Sequence, residues 1–177
     1  MIKLTPFVLL GIFLSGSSLS QSIIKVHGDA DAVAIKAQVK RSLDYLDIHE
    51  TVHIDVSVTA SIPKRLKGLT LAAPPLDCAD NEIHIFRIRI NERLGEVQRL
   101  NILAHEMMHV RQYLNGDLQV THDHKVIWKG RNYSFRELHH RKTPWELQAY
   151  RHDQYLAKVL KDMPNEMPPL MVSEIEK

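Results

Sequence analysis

The 177-residue sequence predicts an α+β fold, and three observations support that prediction. Residues 51–59 and 82–91 alternate apolar and polar side chains, which is the period of a β-strand. Residues 29–46 and 94–114 instead place apolar side chains at helical spacing. A further helix is expected to begin at Thr143-Pro144. Strands and helices therefore mix along a chain that is long enough for one domain.

The region between the two predicted strands reads as a loop, and the second strand is irregular. Residues 60–81 hold three prolines and Gly68, which predicts a long loop. Within residues 82–91 the apolar positions slip by one residue, and a bulge near Ile85-Phe86 would restore the alternation. Arg87 and Arg89 then share the polar face, which indicates an edge strand.

The second half of the chain contains signals for a helix end, a hairpin and a final helix. Asn115-Gly116 predicts the end of the helix over 94–114, and residues 125–136 read as a β-hairpin. Prolines after position 163 end the last helix and leave an extended tail over 164–177. The apolar stripe of that helix consists of Trp145, Ala149, Leu156, Val159, Leu160 and Met163.

The N-terminus has the composition of a secretory signal peptide over residues 1–20. Lys3 provides the positive start, residues 4–14 are almost wholly apolar, and Ser18-Leu19-Ser20 offers small residues for cleavage. The apolar run is shorter than the roughly 20 residues that span a bilayer. We expect a secreted or periplasmic protein with one domain over 21–163 and no stable membrane association after cleavage. An uncleaved membrane anchor is the alternative.

The net charge limits which partners are expected, and the cysteine content limits what can stabilise the fold. Removing residues 1–20 takes away Lys3, one of 23 basic residues, and none of the 21 acidic residues, so the net charge falls from +2 to +1. Such a balance argues against nucleic acid as a partner. Cys78 is the only cysteine, so an internal disulfide is excluded and stability must come from the core or from a metal.

Residues 101–112 contain an H-E-x-x-H sequence within the predicted central helix. Residues four apart lie one above the other on a helix, so the rings of His105 and His109 can reach the same zinc ion. Glu106 lies about 100° round the helix and can flank the ion without binding it. Two imidazoles that hold a metal and a carboxylate that takes a proton from water are the parts of a zinc hydrolase.

Two readings of this helix compete with the zinc site. A short motif arises by chance more easily in a chain with 11 histidines, and two buried histidines could also form a satisfied core pair. Uncharged neighbours on both sides of the histidines favour a buried site. Arg111 departs from the pattern, since metallopeptidase helices usually carry an apolar residue there.

A third zinc ligand is needed, and Glu146 is the best candidate. The three-histidine continuation of the metzincins is excluded, because Gln112 and Asn115 occupy the required positions. Glu146 begins a second helix, and the small Ala149 would allow that helix to approach closely. The alternative is a capping box, since Glu146 follows Thr143 by three residues.

Other potential ligands are less favoured. Most histidine candidates lie in predicted loops, His152 falls on an apolar stripe, and Cys78 suggests the peptide deformylases, whose other motifs are missing. The rival candidates are His122, Asp123, His124, His139, His140, His152 and Cys78.

With these motifs, the chain resembles the gluzincin zinc metallopeptidases, and in particular the small single-domain minigluzincins. The match covers about residues 29–161 and includes His105-Glu106-x-x-His109 and, more loosely, Glu146-x-x-Ala149. The resemblance implies a zincin-like α+β domain in which a short mixed sheet lies above the active-site helix. It also implies that a peptide or protein substrate binds along the edge of the strand over 82–91. No acidic residue at 150 or 151 is present to orient a histidine.

The expected activity is hydrolysis of peptide bonds, with zinc on His105, His109 and Glu146 and with Glu106 as the general base. The negative charge that develops on the oxygen of the scissile carbonyl would need a hydrogen-bond donor. The candidates are Tyr133, Tyr150, Arg151 and His152. Tyr150 is preferred, because it lies one turn from Glu146 on the same helix face.

Two other functions use the same residues. A zinc-stabilised peptide-binding module or chaperone without turnover would keep the ligands but would have no use for Glu106. A zinc amidase that acts on a cell-wall cross-link would use the same water chemistry as a peptidase.

Overall fold

The computed structural model describes residues 22–28, 32–74, 76–78, 81–121, 125–134 and 143–162. The expected signal peptide, the C-terminal tail and the loop histidines at 122, 124, 139 and 140 lie outside these ranges. The described residues form β1 (Ile23–His27), α1 (Ala32–Tyr45), β2 (Val52–Thr59), β3 (Gly68–Ala72), β4 (Leu76–Cys78), β5 (Asn81–Asn91), α2 (Glu96–Leu114), β6 (Leu118–Val120), β7 (Lys125–Trp128), β8 (Arg131–Ser134) and α3 (Pro144–Asp162). The α+β prediction is confirmed.

The larger sheet is mixed. Its strand order is β1-β2-β5-β3, and the short β4 also pairs with β5. The strands β1, β2 and β5 run parallel, whereas β3 and β4 run antiparallel to β5. In the described part of the chain β3 has no further strand beside it, so β3 forms one edge of the sheet.

One face of this sheet carries the main core. The alternation in β2 buries Val52, Ile54 and Val56 completely, and β5 buries Ile88 and Ile90 on the same face. Apolar side chains of α1 and α2 pack on that face, among them Val39 and Leu103. The central helix is therefore held against the sheet by burial of apolar surface, the dominant favourable contribution to folding.

The structure corrects the prediction for residues 60–81. Instead of one long loop, this stretch contains β3 and β4, both paired with β5. Of the prolines that suggested a loop, Pro63 and Pro74 lie outside these strands, and Pro75 is not among the described residues. Short strands between prolines have too few residues for their alternation to stand out, and only pairing with a long neighbour reveals them.

The strand β5 also differs from its prediction in two ways. It pairs with β2 from His84 to Asn91 without interruption, so the expected bulge at Ile85-Phe86 is absent from this pairing. The irregularity lies in the partner strands, because β3 ends opposite Phe86 and β4 begins opposite Ile83. Moreover, β5 is central, with neighbours on both sides, and the predicted edge position belongs to β3.

A smaller antiparallel sheet, β6-β7-β8, follows the central helix. The predicted hairpin is confirmed, and its turn residues Lys129 and Gly130 both have positive φ values of 47° and 76°, as a two-residue primed turn requires. Gly116, with φ 70°, follows the end of α2 as expected. Among the described residues, none of the helices has the length and apolar character needed to cross a membrane.

Candidate metal centre

The predicted ligands converge between α2 and α3. Nε2 of His105 lies 3.2 Å from Oε2 of Glu146, and Nε2 of His109 lies 3.4 Å from Oε1 of Glu146. All three side chains are buried, and one ligand atom from each lies within 4.8 Å of the others. Both oxygens of Glu146 face the imidazoles, which is the orientation expected of a ligand. This group could hold a metal ion.

The spacing of these atoms suits a four-coordinate ion. Metal–ligand bonds of about 2.0–2.1 Å at tetrahedral angles would place neighbouring ligand atoms about 3.3 Å apart. The two distances to Glu146, each measured to a different carboxylate oxygen, are close to that value. The donor set, with two imidazole nitrogens and one carboxylate oxygen, leaves a fourth position for another ligand.

The far side of each imidazole is occupied by a hydrogen-bond partner. Nδ1 of His105 lies 2.9 Å from Oδ2 of Asp153, and Nδ1 of His109 lies 2.8 Å from Oε1 of Gln112. The Gln112 amide nitrogen donates to the carbonyl of Trp145, so its oxygen must be the acceptor toward His109. Nδ1 of His109 therefore carries the proton, and in the neutral ring the lone pair lies on Nε2.

These contacts leave electron pairs pointing at one another in the centre of the site. With neutral rings, the two Nε2 lone pairs and the Glu146 carboxylate all face the same small space. Such an arrangement needs either a metal ion or protons between its members.

The pKa values of the histidines reflect the same demand for positive charge. Burial works to lower the pKa of His105, but the hydrogen bonds that its ring makes to Asp153 and Glu146 outweigh burial and raise the pKa to about 10. Burial likewise opposes a charge on His109, and Glu146 and Glu106 still raise its pKa. The site thus favours a cation strongly despite its burial.

Glu106 lies beside the three ligands and has separate support. The Thr70 hydroxyl, on β3, lies 2.7 Å from Oε2 of Glu106 and 3.1 Å from the backbone oxygen of the same residue. Burial raises the pKa of Glu106, while the two histidines and the Thr70 hydroxyl oppose that rise. With Oε2 bonded to Thr70, Oε1 remains available to the cleft.

The backbone of β3 approaches this carboxylate very closely. A Cβ atom placed on Gly68 would collide with Oε1 of Glu106 and would lie 2.5 Å from Cγ2 of Ile102. Only glycine leaves that space open. The sheet edge and the α2 helix therefore confine Glu106 from two sides.

An open cleft of about 550 Å³ contains the site. Its floor includes His105, Glu106 and His109, and β3 forms one wall. The opposite walls come from α3 and from the smaller sheet. Their lining side chains are Leu118, Val120, Val126, Trp145 and Tyr150.

The edge strand presents unpaired backbone groups beside this cleft. Asn91 N–H donates to the carbonyl of Lys67, and Ala73 N–H donates to that of Ile85, so odd-numbered residues of this segment bond to β5. Because the direction of these bonds alternates along an antiparallel strand, the backbone groups of Gly68, Thr70 and Ala72 point away from β5. Among the described strands none pairs with them.

The proposed oxyanion donors separate clearly in space. Tyr150 lines the cleft, and its ring centre lies 4.8 Å from that of His105. Tyr133 packs against Trp145 outside the cleft lining. Arg151 and His152 line a different depression, where His152 contacts Tyr45. Tyr150 is thus the candidate that the fold brings to the predicted metal ligands.

The other residues singled out in the sequence are not part of the described site. Arg111, which departs from the motif pattern, donates to the backbone oxygen of Asp47 and so links α2 to the turn after α1. The side chain of Cys78 lies outside the described residues, as do the histidines of the 122–124 and 139–140 segments.

Sequence reasoning missed the groups that orient the site. Asp153 follows Glu146 by seven residues, two helical turns on the same face, and this spacing could have revealed it. Gln112 follows His109 by three residues and could have been found in the same way. Thr70 and Gly68 act across 36 or more residues of chain, and no local pattern indicates them.

No protein-family model, curated protein or solved structure matches this chain.

Proposed function

We propose that this protein is an exported zinc metallopeptidase of the gluzincin type. The observation that carries the proposal is the convergence of two imidazole Nε2 atoms and one carboxylate beside a second, separately held carboxylate in an open cleft. The apolar leader expected over residues 1–20 supports export. The apolar cleft with a free strand edge supports a polypeptide as the substrate.

Zinc is the metal that this donor set favours. Two neutral imidazoles and one carboxylate with an open fourth position are typical of catalytic zinc, whereas calcium and magnesium prefer all-oxygen sites. Bound zinc would supply Lewis acidity, lowering the pKa of a water molecule and polarising a carbonyl. His105, His109 and Glu146 would hold it. Asp153 and Gln112 fix the imidazole orientations that this binding needs.

Glu106 is the general base in this proposal. Its Oε2 is held by Thr70, which leaves Oε1 to accept the proton of the attacking water. The same oxygen then returns that proton to the amine that leaves. Burial raises the pKa of this carboxyl, which brings its basicity closer to that of the groups with which it exchanges a proton.

Tyr150 is positioned to assist from the other wall. Tyr150 is 37% exposed and its ring lies against that of His105, on the side of the cleft nearest the proposed ligands. A phenolic O–H there can donate to the oxygen of the carbonyl as negative charge develops on it. This role remains secondary to that of Glu106.

The substrate would add as a strand to β3. Gly68 and Thr70 line the cleft with backbone groups that point away from β5, and Thr70 contacts Glu106. A peptide paired with these groups would pass its backbone carbonyls over the general base. A binding site made of main-chain groups suits a polypeptide better than an isolated cell-wall amide.

A zinc-stabilised peptide-binding module or chaperone without turnover is the weaker alternative. Such a protein has no use for Glu106, a buried carboxyl whose pKa is raised by burial and which binds no ligand atom of the site. Burying such a group is unfavourable, and sites of this kind are retained where chemistry needs them.

The test is a digest of a peptide library by the purified mature chain and by Glu106→Gln. We expect wild type to cleave peptides and Glu106→Gln to lose about 10²–10⁴-fold in rate while it retains its zinc. The control is Glu96→Gln, because Glu96 lies on the exposed first turn of the same helix. Full turnover by Glu106→Gln would overturn the assignment of the base.

A further inference from the structure

We propose that the cleft selects peptides that carry an acidic side chain on one side of the scissile bond, toward Arg65 and Lys67. This inference rests on the peptidase function proposed above. It follows from a charge asymmetry between the two ends of the cleft, which the near-neutral composition of the chain does not predict.

The two ends of β3 lie at the two ends of the α2 helix. Lys67 bonds to Asn91, which precedes the start of α2 by only a few residues. At the other end Ala72 pairs with Phe86, whose ring contacts Tyr113 in the last turn of α2. A peptide extended along β3 would therefore run from one end of α2 to the other.

The end near the C-terminus of α2 is apolar. Leu118, Val126 and Trp145 form an apolar wall there, and each of these side chains is less than a tenth exposed. No acidic or basic side chain among the described residues is part of this wall. It would accept an apolar substrate side chain.

The end near the start of α2 is basic. Arg65 and Lys67 line the cleft immediately before β3, and both are exposed. Within the described part of the chain neither forms an ion pair, in contrast to Arg111 and Lys129, which lie near Glu50 and Asp117. We call Arg65 and Lys67 the basic rim.

The cleft contains no acidic group that would neutralise this rim. Glu106 and Glu146 are the only carboxylates among the described lining residues, and both are buried at the metal centre. An approaching carboxylate would meet cations only, which favours its capture and orientation.

The expected size of the effect is moderate because the rim is exposed to water. An exposed ion pair changes affinity by roughly 1.5- to 5-fold, so two such pairs give a preference on the order of 10-fold. The preference should shrink as salt is added, since salt screens exposed charges.

The experiment uses a set of peptides with one apolar residue, in which a single position before or after that residue is Glu, Gln or Lys. We expect the wild-type protein to show a higher kcat/KM for the Glu peptide than for the Lys peptide when the varied position lies on one side of the apolar residue, and no such difference when it lies on the other side. In the double variant Arg65→Glu/Lys67→Glu the ratio of Glu to Lys cleavage should fall by about 10-fold or more. The control is Lys64→Glu, which reverses an exposed charge on the same loop outside the cleft lining and should leave the ratio unchanged.

Three outcomes would overturn the inference: equal cleavage of Glu and Lys peptides, an unchanged ratio in the double variant, or an equal fall in Lys64→Glu. If the wild-type protein cleaves none of the peptides, a binding measurement replaces the cleavage assay. Binding of labelled Glu and Lys peptides to Glu106→Gln then tests whether the basic rim selects acidic peptides. Selective binding of the Glu peptide without cleavage would contradict only the peptidase proposal, whereas equal binding of both peptides would contradict the basic rim.

Discussion

Nδ1 of His109 lies 2.8 Å from the side-chain oxygen of Gln112, one turn further along the same helix, and this contact decides which nitrogen of His109 can face a metal. The Gln112 amide in turn donates to the backbone of Trp145 and to the side chain of Gln148. One fully buried side chain thus links a ligand on α2 to the helix that supplies Glu146. The corresponding partner of His105 is Asp153, a carboxylate.

We predict that Gln112→Met, which keeps the volume and removes the hydrogen bonds, lowers zinc affinity by about 10- to 100-fold. The reason is that His109 loses the group that holds its ring and its tautomer. Zinc affinity is measured by competition with a chelator, together with the melting temperature of the metal-stripped protein. Gln119→Met, on an exposed strand, serves as the control. An unchanged affinity in Gln112→Met would show that the contact is only structural.

A second prediction concerns Asp153→Asn, which should also weaken zinc binding by about 10- to 100-fold. The amide keeps an acceptor for His105 but loses the negative charge behind the ring. Asp44→Asn, on the exposed face of α1, should have no effect. The prediction fails if both asparagine variants bind zinc as tightly as wild type.

Gly68→Ala should impair turnover far more than zinc binding. The added methyl group would collide with Oε1 of Glu106, so the carboxylate or the edge strand must move. We expect a fall in kcat of at least ~10²-fold, the lower range for loss of a positioned general base. Gly95→Ala is the control, because a Cβ atom there meets nothing within 4 Å. Normal kcat in Gly68→Ala would contradict the confinement of Glu106.

Glu146→Ala tests the third ligand against the capping alternative. As a ligand, Glu146 supplies one of three protein bonds to zinc, so its removal should abolish stoichiometric binding at micromolar metal. As a helix cap it would cost only about 0.5–2 kcal/mol of stability and leave the metal in place. Zinc content and thermal unfolding of the same sample separate the two roles.

The stability of metal-stripped protein should fall as the pH rises from 6.5 toward 10. The hydrogen bonds that His105 makes to Asp153 and Glu146 outweigh burial and raise its pKa from 6.5 to about 10. A raised pKa stabilises the fold fully below the unfolded value and loses that contribution as the pH passes through the folded value. Urea unfolding across this range should show the loss, and Asp153→Asn should show a smaller one. Identical pH slopes in both proteins would contradict the assignment.

The sequence predicted the parts of the site that lie close together along the chain. His105, Glu106 and His109 share two helical turns, and Glu146 was recognised because it opens a helix next to a small residue. The α+β class followed from clear alternation in β2 and clear helical spacing in α1. Local periodicity is sufficient wherever a pattern extends over several residues.

The parts that the sequence did not predict depend on pairing across long distances. The edge strand β3 is five residues long, lies close to prolines and becomes a strand only through its neighbour β5. Thr70 and Gly68 support Glu106 only once that pairing exists. Arg87 and Arg89 led to the prediction of an edge strand, and that prediction was wrong. An exposed polar face also occurs on a central strand wherever a sheet is covered on one side only.

Metal analysis of the purified mature chain is the decisive measurement for the proposed zinc centre. We expect one tightly bound zinc per chain, which a chelator removes, zinc restores and Glu146→Ala fails to retain. A correctly folded wild-type chain that is isolated without metal and takes up no zinc at micromolar concentrations would contradict the proposed zinc centre.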